Sequence, residues 1–172
     1  LRTILVYPAT FIPGVPFEWA RREGDRSADP PELGQSWSDG VIVLAWDHAA
    51  SAAAAAAGPD AGGNVVLHEF AHQLDQADGT TDGVPPLPPA QYRDWARVLA
   101  VEFRALSQAA SEGRPDVLDT YGTTNPAEFF AVATEAFFAQ PRRLRSEHPE
   151  LYRELERYYR QDPVRLMPPG AT

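Results

Sequence analysis

The sequence predicts a mainly helical α+β fold in which a small N-terminal β-sheet packs beside a central helix. Two short apolar runs, residues 3–7 and 41–46, are rich in β-branched residues and have the length of strands. From residue 65 onward, apolar residues recur at the spacing of amphipathic helices. We therefore expect a single domain over residues 1–172. The sequence begins with Leu1 rather than methionine, which is compatible with the removal of an upstream segment.

Between residues 18 and 76, outside the strand at 41–46, the sequence predicts loops and one capped helix. Residues 18–40 are polar and rich in turn formers, which predicts a surface loop or a flap. Residues 48–57 are mostly alanine, which favours either a short helix or a low-complexity loop. Asn64 is a suitable N-cap for the next helix, which we expect to end at about Gln76.

Three long amphipathic helices are predicted in the C-terminal half. The first covers residues 90–110, the second starts after Asn125 and stops near residue 140, and the third starts at Pro149, since proline fits the first turn of a helix. The proline-rich tail from residue 162 is expected to fray. Helical spacing predicts the following core side chains: Tyr92, Trp95, Val98, Leu99, Phe103, Leu106, Phe129, Phe130, Val132, Ala133, Phe137, Phe138, Leu151, Tyr152, Leu155, Tyr158 and Tyr159.

Composition argues against several classes of function. The formal charge of -9 disfavours a nucleic-acid surface, which needs clustered Lys and Arg. The acidic residues are either solvated surface or an acidic rim that attracts basic substrates. The absence of cysteine removes disulfides, thiolate ligands and a cysteine nucleophile, and it suits a cytoplasmic location. No apolar run approaches the roughly 18 residues of a membrane helix, so we expect no membrane partner.

The most informative pattern is His68-Glu69-x-x-His72, on the helix that Asn64 caps. Residues four apart lie one above the other on a helix, so both imidazoles can bind one metal ion with Glu69 beside them. A catalytic zinc takes three protein ligands and lowers the pKa of a water to about 7, and an adjacent glutamate can accept the proton of that water. In a chain with four His and twelve Glu, the pattern is expected by chance about 0.006 times.

The alternative is a partly buried histidine pair that binds no metal. Apolar residues cover most of the circumference of this helix, so an unpaired imidazole pair would carry a desolvation cost. These residues are Val65, Val66, Leu67, Phe70, Ala71 and Leu74. The sequence therefore favours a zinc site in which His68 and His72 are ligands and Glu69 is the general base.

Two histidines leave a catalytic zinc site one protein ligand short. His48 lies upstream of the helix and His148 lies in a turn that we expect to be exposed, so a carboxylate is needed. Glu128 and Glu135 are the candidates, because both lie in a helix otherwise rich in phenylalanine and alanine. Glu128 also fits a capping box with Asn125, in which its carboxylate would fold back on the backbone. The residues alone leave this choice open.

Three blocks of the sequence, residues 65–75, 82–87 and 121–130, resemble the Mlc titration factor A family of bacterial zinc metallopeptidases. The first and last blocks are also similar to the protease domain of anthrax lethal factor. The recognisable part runs from about residue 34 to residue 139. The resemblance implies a gluzincin-like metallopeptidase domain with one Zn2+ per chain.

The resemblance also implies roles for individual residues. Glu128 would be the third zinc ligand, and Tyr121 would stabilise the oxyanion or help to protonate the leaving group, as a phenol aimed at developing negative charge can do. Without the family, Tyr121 would be interpreted as a packed tyrosine before a turn. Asp75, three residues after His72, either orients a ligand imidazole or makes a local cap or salt bridge.

The expected function is zinc-dependent hydrolysis of peptide bonds, aminopeptidase-like as the family is described, with a peptide or protein as substrate. The family name supplies the alternative of a regulatory protein that sequesters a transcriptional repressor such as Mlc, with hydrolysis secondary. A purely structural zinc is disfavoured, because such sites are closed and commonly contain cysteine. The strand at residues 41–46 either offers a sheet edge to substrate backbone or is an ordinary core strand.

Overall fold

The computed structural model of the protein describes residues 1–10, 34–37, 40–55 and 63–167. These residues form a three-stranded sheet and seven α-helices, which confirms the predicted α+β fold with a mainly helical composition. The strands are β1 (Thr3–Tyr7), β2 (Gly34–Trp37) and β3 (Val41–Ala45). The helices are α1 (Trp46–Ala55), α2 (Val65–Asp75), α3 (Tyr92–Ser111), α4 (Pro126–Ala139), α5 (Pro141–Glu147), α6 (Pro149–Tyr159) and α7 (Pro163–Leu166).

β3 is the central strand of the sheet. The strand order is β1-β3-β2, with β1 parallel and β2 antiparallel to β3, so that Ile42 lies opposite Ile4 and Ser36. β3 also packs against α1 and α2, and its residues Ile42 and Ala45 are fully buried. The segment is therefore an ordinary core strand, and the sheet edge beside α2 belongs to β2.

α4 is the centre of the helical part. Nine of its 14 residues are buried, and it packs against α2, α3, α5 and α6. This environment explains why the helix is so rich in phenylalanine and alanine. The fully buried ring of Trp95 meets Phe130 edge to face, with the ring centroids 5.7 Å apart. The predicted core side chains are buried or partly buried with one exception, Tyr92, which is 39% exposed.

Several local predictions are wrong. Residues 34–37 form a strand although they were assigned to a loop, because backbone pairing with β3 organises a segment that has no apolar pattern. Residues 141–147, for which no element is predicted, form α5, since Pro141 begins a new helix at once after the backbone leaves helical geometry at Gln140. The tail contains the short helix α7, which Asp162 caps. The flap interpretation of residues 18–33 falls outside the described residues.

The apolar residues around α2 are only partly buried. Ala71 is fully buried, whereas Leu74 is 38% exposed. The alanine-rich segment is helical as far as residue 55, where the description of this part ends. None of the helices in the described ranges combines the length and the hydrophobicity that crossing a bilayer requires.

Candidate metal centre

α2 carries the two histidines of the motif on one face. The helix begins as predicted at Asn64, whose side-chain oxygen accepts a hydrogen bond from the backbone N–H of Leu67. One turn apart, His68 and His72 bring their Nε2 atoms to 3.1 Å from each other. Both side chains are largely buried, with 15% and 12% of their surface exposed. The helical spacing therefore places the Nε2 atoms of the two histidines close together.

Glu128 reaches these two atoms from the first turn of α4. Asn125 caps this helix as predicted, since its side-chain oxygen accepts the N–H of Glu128 at 3.0 Å. The carboxylate of Glu128 does not serve the cap. Its Oε2 lies 2.9 Å from Nε2 of His68 and 3.4 Å from Nε2 of His72. Asn125 therefore makes its half of the predicted capping box. The side chain of Glu128 points to the histidines and not back to the backbone of Asn125.

The spacing of these three groups suits a tetrahedral metal ion. One nitrogen from each histidine and one carboxylate oxygen of Glu128 lie within 4.8 Å of one another. Zinc–nitrogen and zinc–oxygen bonds of about 2.0–2.2 Å in tetrahedral geometry place neighbouring ligand atoms about 3.3 Å apart. The three measured separations, 2.9, 3.1 and 3.4 Å, are close to that value. Imidazole nitrogen and carboxylate oxygen are also ligand types that zinc accepts.

Charge pairing shifts two pKa values in the centre. Burial lowers the pKa of His68, but its hydrogen bonds and charge interactions with Glu128 and Glu135 outweigh this effect and raise the pKa to about 10. Burial raises the pKa of Glu128, whereas its contacts with His68 and His72 outweigh burial and lower the pKa to about 2. A ligand imidazole must be neutral, so a metal ion that binds here displaces a proton from His68.

Glu135 lies on the opposite side of the His68 ring. Its Oε1 is 2.7 Å from Nδ1 of His68, and its Oε2 accepts a hydrogen bond from the backbone N–H of Asn64. It therefore contacts the nitrogen that points away from His72 and Glu128. The two glutamates that the sequence left as alternatives occupy different positions, and Glu128 is the one that lies beside both histidines.

Glu69 is buried beside the histidine pair, with 6% of its surface exposed. Gly34 of β2 packs against it so closely that a Cβ at position 34 would lie 2.7 Å from Cγ and Oε1 of Glu69. β2 is held against α2 by a hydrogen bond from the side chain of Gln73 to the hydroxyl of Ser36. The edge strand thus forms one wall around the carboxylate that is predicted to act as general base.

Tyr121 lines an open cleft of about 590 Å³ that also contains the two histidines. It belongs to the 3₁₀ turn Thr120–Thr123, it is 55% exposed, and its ring centroid is 6.0 Å from that of His68. The cleft is lined by both histidines and by Gly34, Gln35, Ser36, Gly63, Val65, Glu69, Asp119, Tyr121, Glu128, Val132 and Glu135. The structure brings all five sequence-predicted site residues to this cleft, while their chemical roles stay predictions.

Asp75 makes a local contact. Its carboxylate is fully buried and accepts the N–H of Gly83 at 3.0 Å. Burial raises the pKa of Asp75, and the hydrogen bond from Gly83 opposes that shift. The buried Nδ1 of His72 has no hydrogen-bond partner among the described residues. Asp75 thus makes a local contact with the loop after α2, and it also has a charge interaction with His72, so its orienting role stays a prediction.

The prediction that His148 is exposed is wrong. Only 8% of its surface is accessible. Its Nδ1 is 2.7 Å from Oε2 of Glu102, and its Nε2 is 2.9 Å from Oδ1 of Asp116. The turn is buried because α3, α5 and α6 pack together around it. His48, in contrast, lies on α1 at the surface, where its backbone N–H bonds to the carboxylate of Asp47.

Comparison with known proteins identifies the family. The model of the family described as glucose-regulated metallo-peptidase M90 matches residues 1–160. The chain belongs to this family. It is 39% identical over 169 residues to an uncharacterized protein, slr2042, of Synechocystis sp., covering 95% of this chain and 59% of that protein.

Two proteins called Mlc titration factor A are also similar, which confirms the family resemblance. The one from Pectobacterium atrosepticum is 36% identical and the one from Serratia proteamaculans is 34% identical, each over 165 residues. Each alignment covers 94% of this chain and 60% of the relative. The chain thus spans about three-fifths of the length of these relatives. Membership of a metallopeptidase family implies a bound metal, and the cluster of His68, His72 and Glu128 is a group that can hold one.

Sequence reasoning did not find two contributors to this site. Gly34 carries no side chain to show a pattern, and only the pairing of β2 places it against Glu69. Glu135 was considered only as a ligand, although its position seven residues after Glu128 puts it two turns along the same helix. The contact between Glu135 and Nδ1 of His68 joins residues 67 positions apart, so no regular spacing in the sequence indicates it.

Proposed function

We propose that the protein is a zinc-dependent peptidase of the gluzincin type, with aminopeptidase-like activity. The observation that supports it most directly is the triangle of His68 Nε2, His72 Nε2 and Glu128 Oε2, which faces an open cleft. A catalytic zinc needs three protein ligands and access for water and substrate. The arrangement offers both, in a chain of a metallopeptidase family.

A zinc ion held by these three side chains would supply Lewis-acid polarisation of a peptide carbonyl and acidification of a water. Glu69 acts as the general base and accepts the proton of the attacking water. Its burial and its confinement by Gly34 keep the carboxylate in one orientation, which proton transfer requires. Glu69 then carries this proton to the leaving amine as the peptide bond breaks.

Tyr121 acts on the carbonyl group of the substrate. Its phenol donates a hydrogen bond to the carbonyl oxygen of the substrate as negative charge develops there. The ring of Tyr121 is 55% exposed to the cleft and lies in contact with His68, with ring centroids 6.0 Å apart, so its phenol is placed beside the proposed metal ion. The hydrogen bond strengthens as the oxygen becomes charged, so it favours the transition state over the bound substrate.

β2 binds the backbone of the substrate. It pairs with β3 along one edge, and no described strand pairs with its other edge. Gln35 and Ser36 of this strand line the cleft, so an extended peptide can add to the sheet beside the metal centre. The acidic groups in the cleft, including Asp119, favour a substrate with a positively charged amino terminus.

A second function is supported by the names of the relatives. Proteins called Mlc titration factor A are 34–36% identical to this chain over nearly its whole length. A regulatory protein that sequesters a repressor such as Mlc would use a surface rather than the hydrolytic groups. Binding of this kind does not depend on the carboxylate of Glu69.

The Glu69→Gln variant separates these functions. We expect it to bind zinc like the wild type and to lose hydrolysis of peptide amides by about 100-fold or more, since general-base catalysis contributes 10²–10⁴-fold. Glu150→Gln, at an exposed position on α6, is the control and keeps full activity. Peptides with free and acetylated amino termini test the aminopeptidase preference. A zinc-loaded Glu69→Gln protein with wild-type hydrolysis would contradict the proposed mechanism, and unchanged binding of purified repressor would support a separate regulatory surface.

A further inference from the structure

Glu135 makes two contacts that join the helices carrying the proposed ligands. Oε1 lies 2.7 Å from Nδ1 of His68, and Oε2 accepts the backbone N–H of Asn64, the N-cap of α2. The side chain of Glu135 is only 13% exposed, so these contacts are shielded from bulk water. One carboxylate of α4 thus holds both the start of α2 and the far side of a histidine in the metal centre.

When His68 is neutral, as a metal ligand must be, the contact with Glu135 decides which of its two nitrogens keeps the proton. A neutral imidazole has one N–H donor and one nitrogen with a free lone pair. A carboxylate accepts a hydrogen bond from Nδ1–H, and this leaves the lone pair of Nε2 directed at His72 and Glu128. In the other tautomer, the carboxylate of Glu135 would face an unprotonated nitrogen, and Nε2 could not bind a metal ion.

The contact with Asn64 fixes the position of the ring. Asn64 starts the helix on which His68 is the fourth residue, and negative charge is favourable at the N-terminus of a helix. Glu135 follows Glu128 by two turns on α4, about 10 Å along the helix axis. Because one residue of α4 contacts α2 at its cap and another contacts it at the histidines, the two helices cannot slide past each other without breaking one of these contacts.

The second histidine has no equivalent support. Nδ1 of His72 is buried without a hydrogen-bond partner in the part of the chain that the structure describes. Among the described residues, therefore, only His68 of the pair has a carboxylate hydrogen-bonded to the nitrogen that faces away from the centre. We propose that Glu135 is a positioning residue that holds His68 in the Nδ1-protonated tautomer and thereby prepares Nε2 for the metal ion.

This inference rests on the proposed zinc site and is tested by Glu135→Gln. A glutamine amide can accept a hydrogen bond from only one of the two partners, Nδ1–H of His68 or N–H of Asn64, and turns its NH₂ group toward the other. We expect the affinity for Zn²⁺, measured by competition with a chromogenic chelator, to fall about 10–100-fold, the usual effect of removing such a partner. The Glu128→Gln variant loses a ligand and should lose more.

The matched control is Glu102→Gln. Glu102 contacts Nδ1 of His148 at the same distance of 2.7 Å, and neither residue lines the cleft of the metal centre. A general effect of removing a buried glutamate–histidine pair would appear in both variants, whereas positioning of a ligand affects only Glu135→Gln. We expect the Zn²⁺ affinity of Glu102→Gln to stay within about threefold of the wild type.

Nitrogen NMR of zinc-loaded wild-type protein with ¹⁵N-labelled histidine gives an independent measurement. We expect His68 to show a protonated Nδ1 whose hydrogen exchanges slowly, and this signal should weaken in Glu135→Gln. An unprotonated Nδ1 in the wild type, or equal Zn²⁺ affinities of Glu135→Gln and wild type, would overturn the inference while leaving the zinc site intact. A wild-type protein that binds no Zn²⁺ would overturn both the inference and the proposed function.

Discussion

Gly34 on the edge strand lies directly against Glu69 on α2, and a Cβ at position 34 would lie 2.7 Å from two atoms of the Glu69 side chain. The backbone at position 34 is not left-handed, so the requirement for glycine here comes from space alone. A strand that lines the cleft therefore also sets the position of the proposed general base.

We predict that Gly34→Ala impairs hydrolysis without preventing zinc binding. The added methyl group would lie 2.7 Å from Glu69 and from Cγ2 of Val65, so Glu69, Val65 or β2 must move. A shift of about 1 Å in a reacting group can reduce the rate about 100-fold. Peptide hydrolysis and zinc content measure the two effects separately. Gly113→Ala, at a surface turn with open space around it, is the control and should keep its activity. Wild-type activity in Gly34→Ala would show that the contact does not constrain the base.

Tyr121→Phe tests the proposed oxyanion donor. The ring is 55% exposed, so removing one hydroxyl group should leave the free energy of unfolding and the zinc content nearly unchanged. We expect kcat for peptide hydrolysis to fall about 100-fold with little change in KM, as for the loss of one donor to a developing oxyanion. An increase in KM with unchanged kcat would instead assign Tyr121 to substrate binding.

Gly83→Ala tests the link between the end of α2 and the start of α4. Gly83 has φ +78°, and a Cβ there would overlap the carbonyl group of Pro126. Its N–H bonds to Asp75, and its carbonyl accepts the indole N–H of Trp95. We expect a loss of about 2–4 kcal/mol in the free energy of unfolding, from left-handed strain together with overpacking.

Gly79→Ala is the matched control for that change. Gly79 has φ +93° but no atoms near the site of a Cβ, so its substitution adds strain without a clash. Urea denaturation of both variants compares the two contributions. Equal losses of stability at the two positions would show that the approach of Gly83 to α4 is not important. The movement of α4 should also weaken zinc binding in Gly83→Ala only, because that helix carries Glu128.

His148 gives the protein a pH-dependent stability. Burial lowers the pKa of His148, but its hydrogen bond with Glu102 and the charge of Asp116 outweigh burial and raise the pKa above the ordinary value of 6.5. A raised pKa in the folded state means that the stabilisation is fully present below pH 6.5 and is lost as the pH rises through the pKa of the folded state.

We therefore predict that His148→Gln lowers the free energy of unfolding by up to about 3 kcal/mol at pH 6, because it leaves two carboxylates without their cation. The cost should shrink as the pH rises, since wild-type His148 then loses its own charge. Denaturation curves at several pH values measure this difference. His48→Gln is the control at a surface position, and a pH-independent difference between His148→Gln and wild type would contradict the prediction.

Local sequence signals predict the helices α2, α3, α4 and α6 and part of the centre, but not α5 and α7. Asn64 and Asn125 marked the starts of α2 and α4, because a cap acts within one turn of its own helix. The pairing of His68 with His72 needs only helical geometry. These features depend on residues three or four apart, so the sequence displays them directly.

The remaining features depend on contacts between distant residues. Glu128 fitted the capping pattern and the ligand pattern equally well, and only the packing of α4 against α2 shows which groups its carboxylate meets. His148 looked exposed because its neighbours are polar, yet Glu102 and Asp116 lie beside it from 46 and 32 residues away. The strand at residues 34–37 depends on β3 for its hydrogen bonds.

The most direct test of the central claim is a metal analysis of the purified protein combined with anomalous scattering from crystals at the zinc edge. We predict one zinc per chain, at about 2.0–2.2 Å from Nε2 of His68, Nε2 of His72 and a carboxylate oxygen of Glu128. Asp116, Glu147 and His148 form a second group of side chains with the spacing of metal ligands. A protein that takes up no zinc, or an anomalous peak at this second group instead, would contradict the claim.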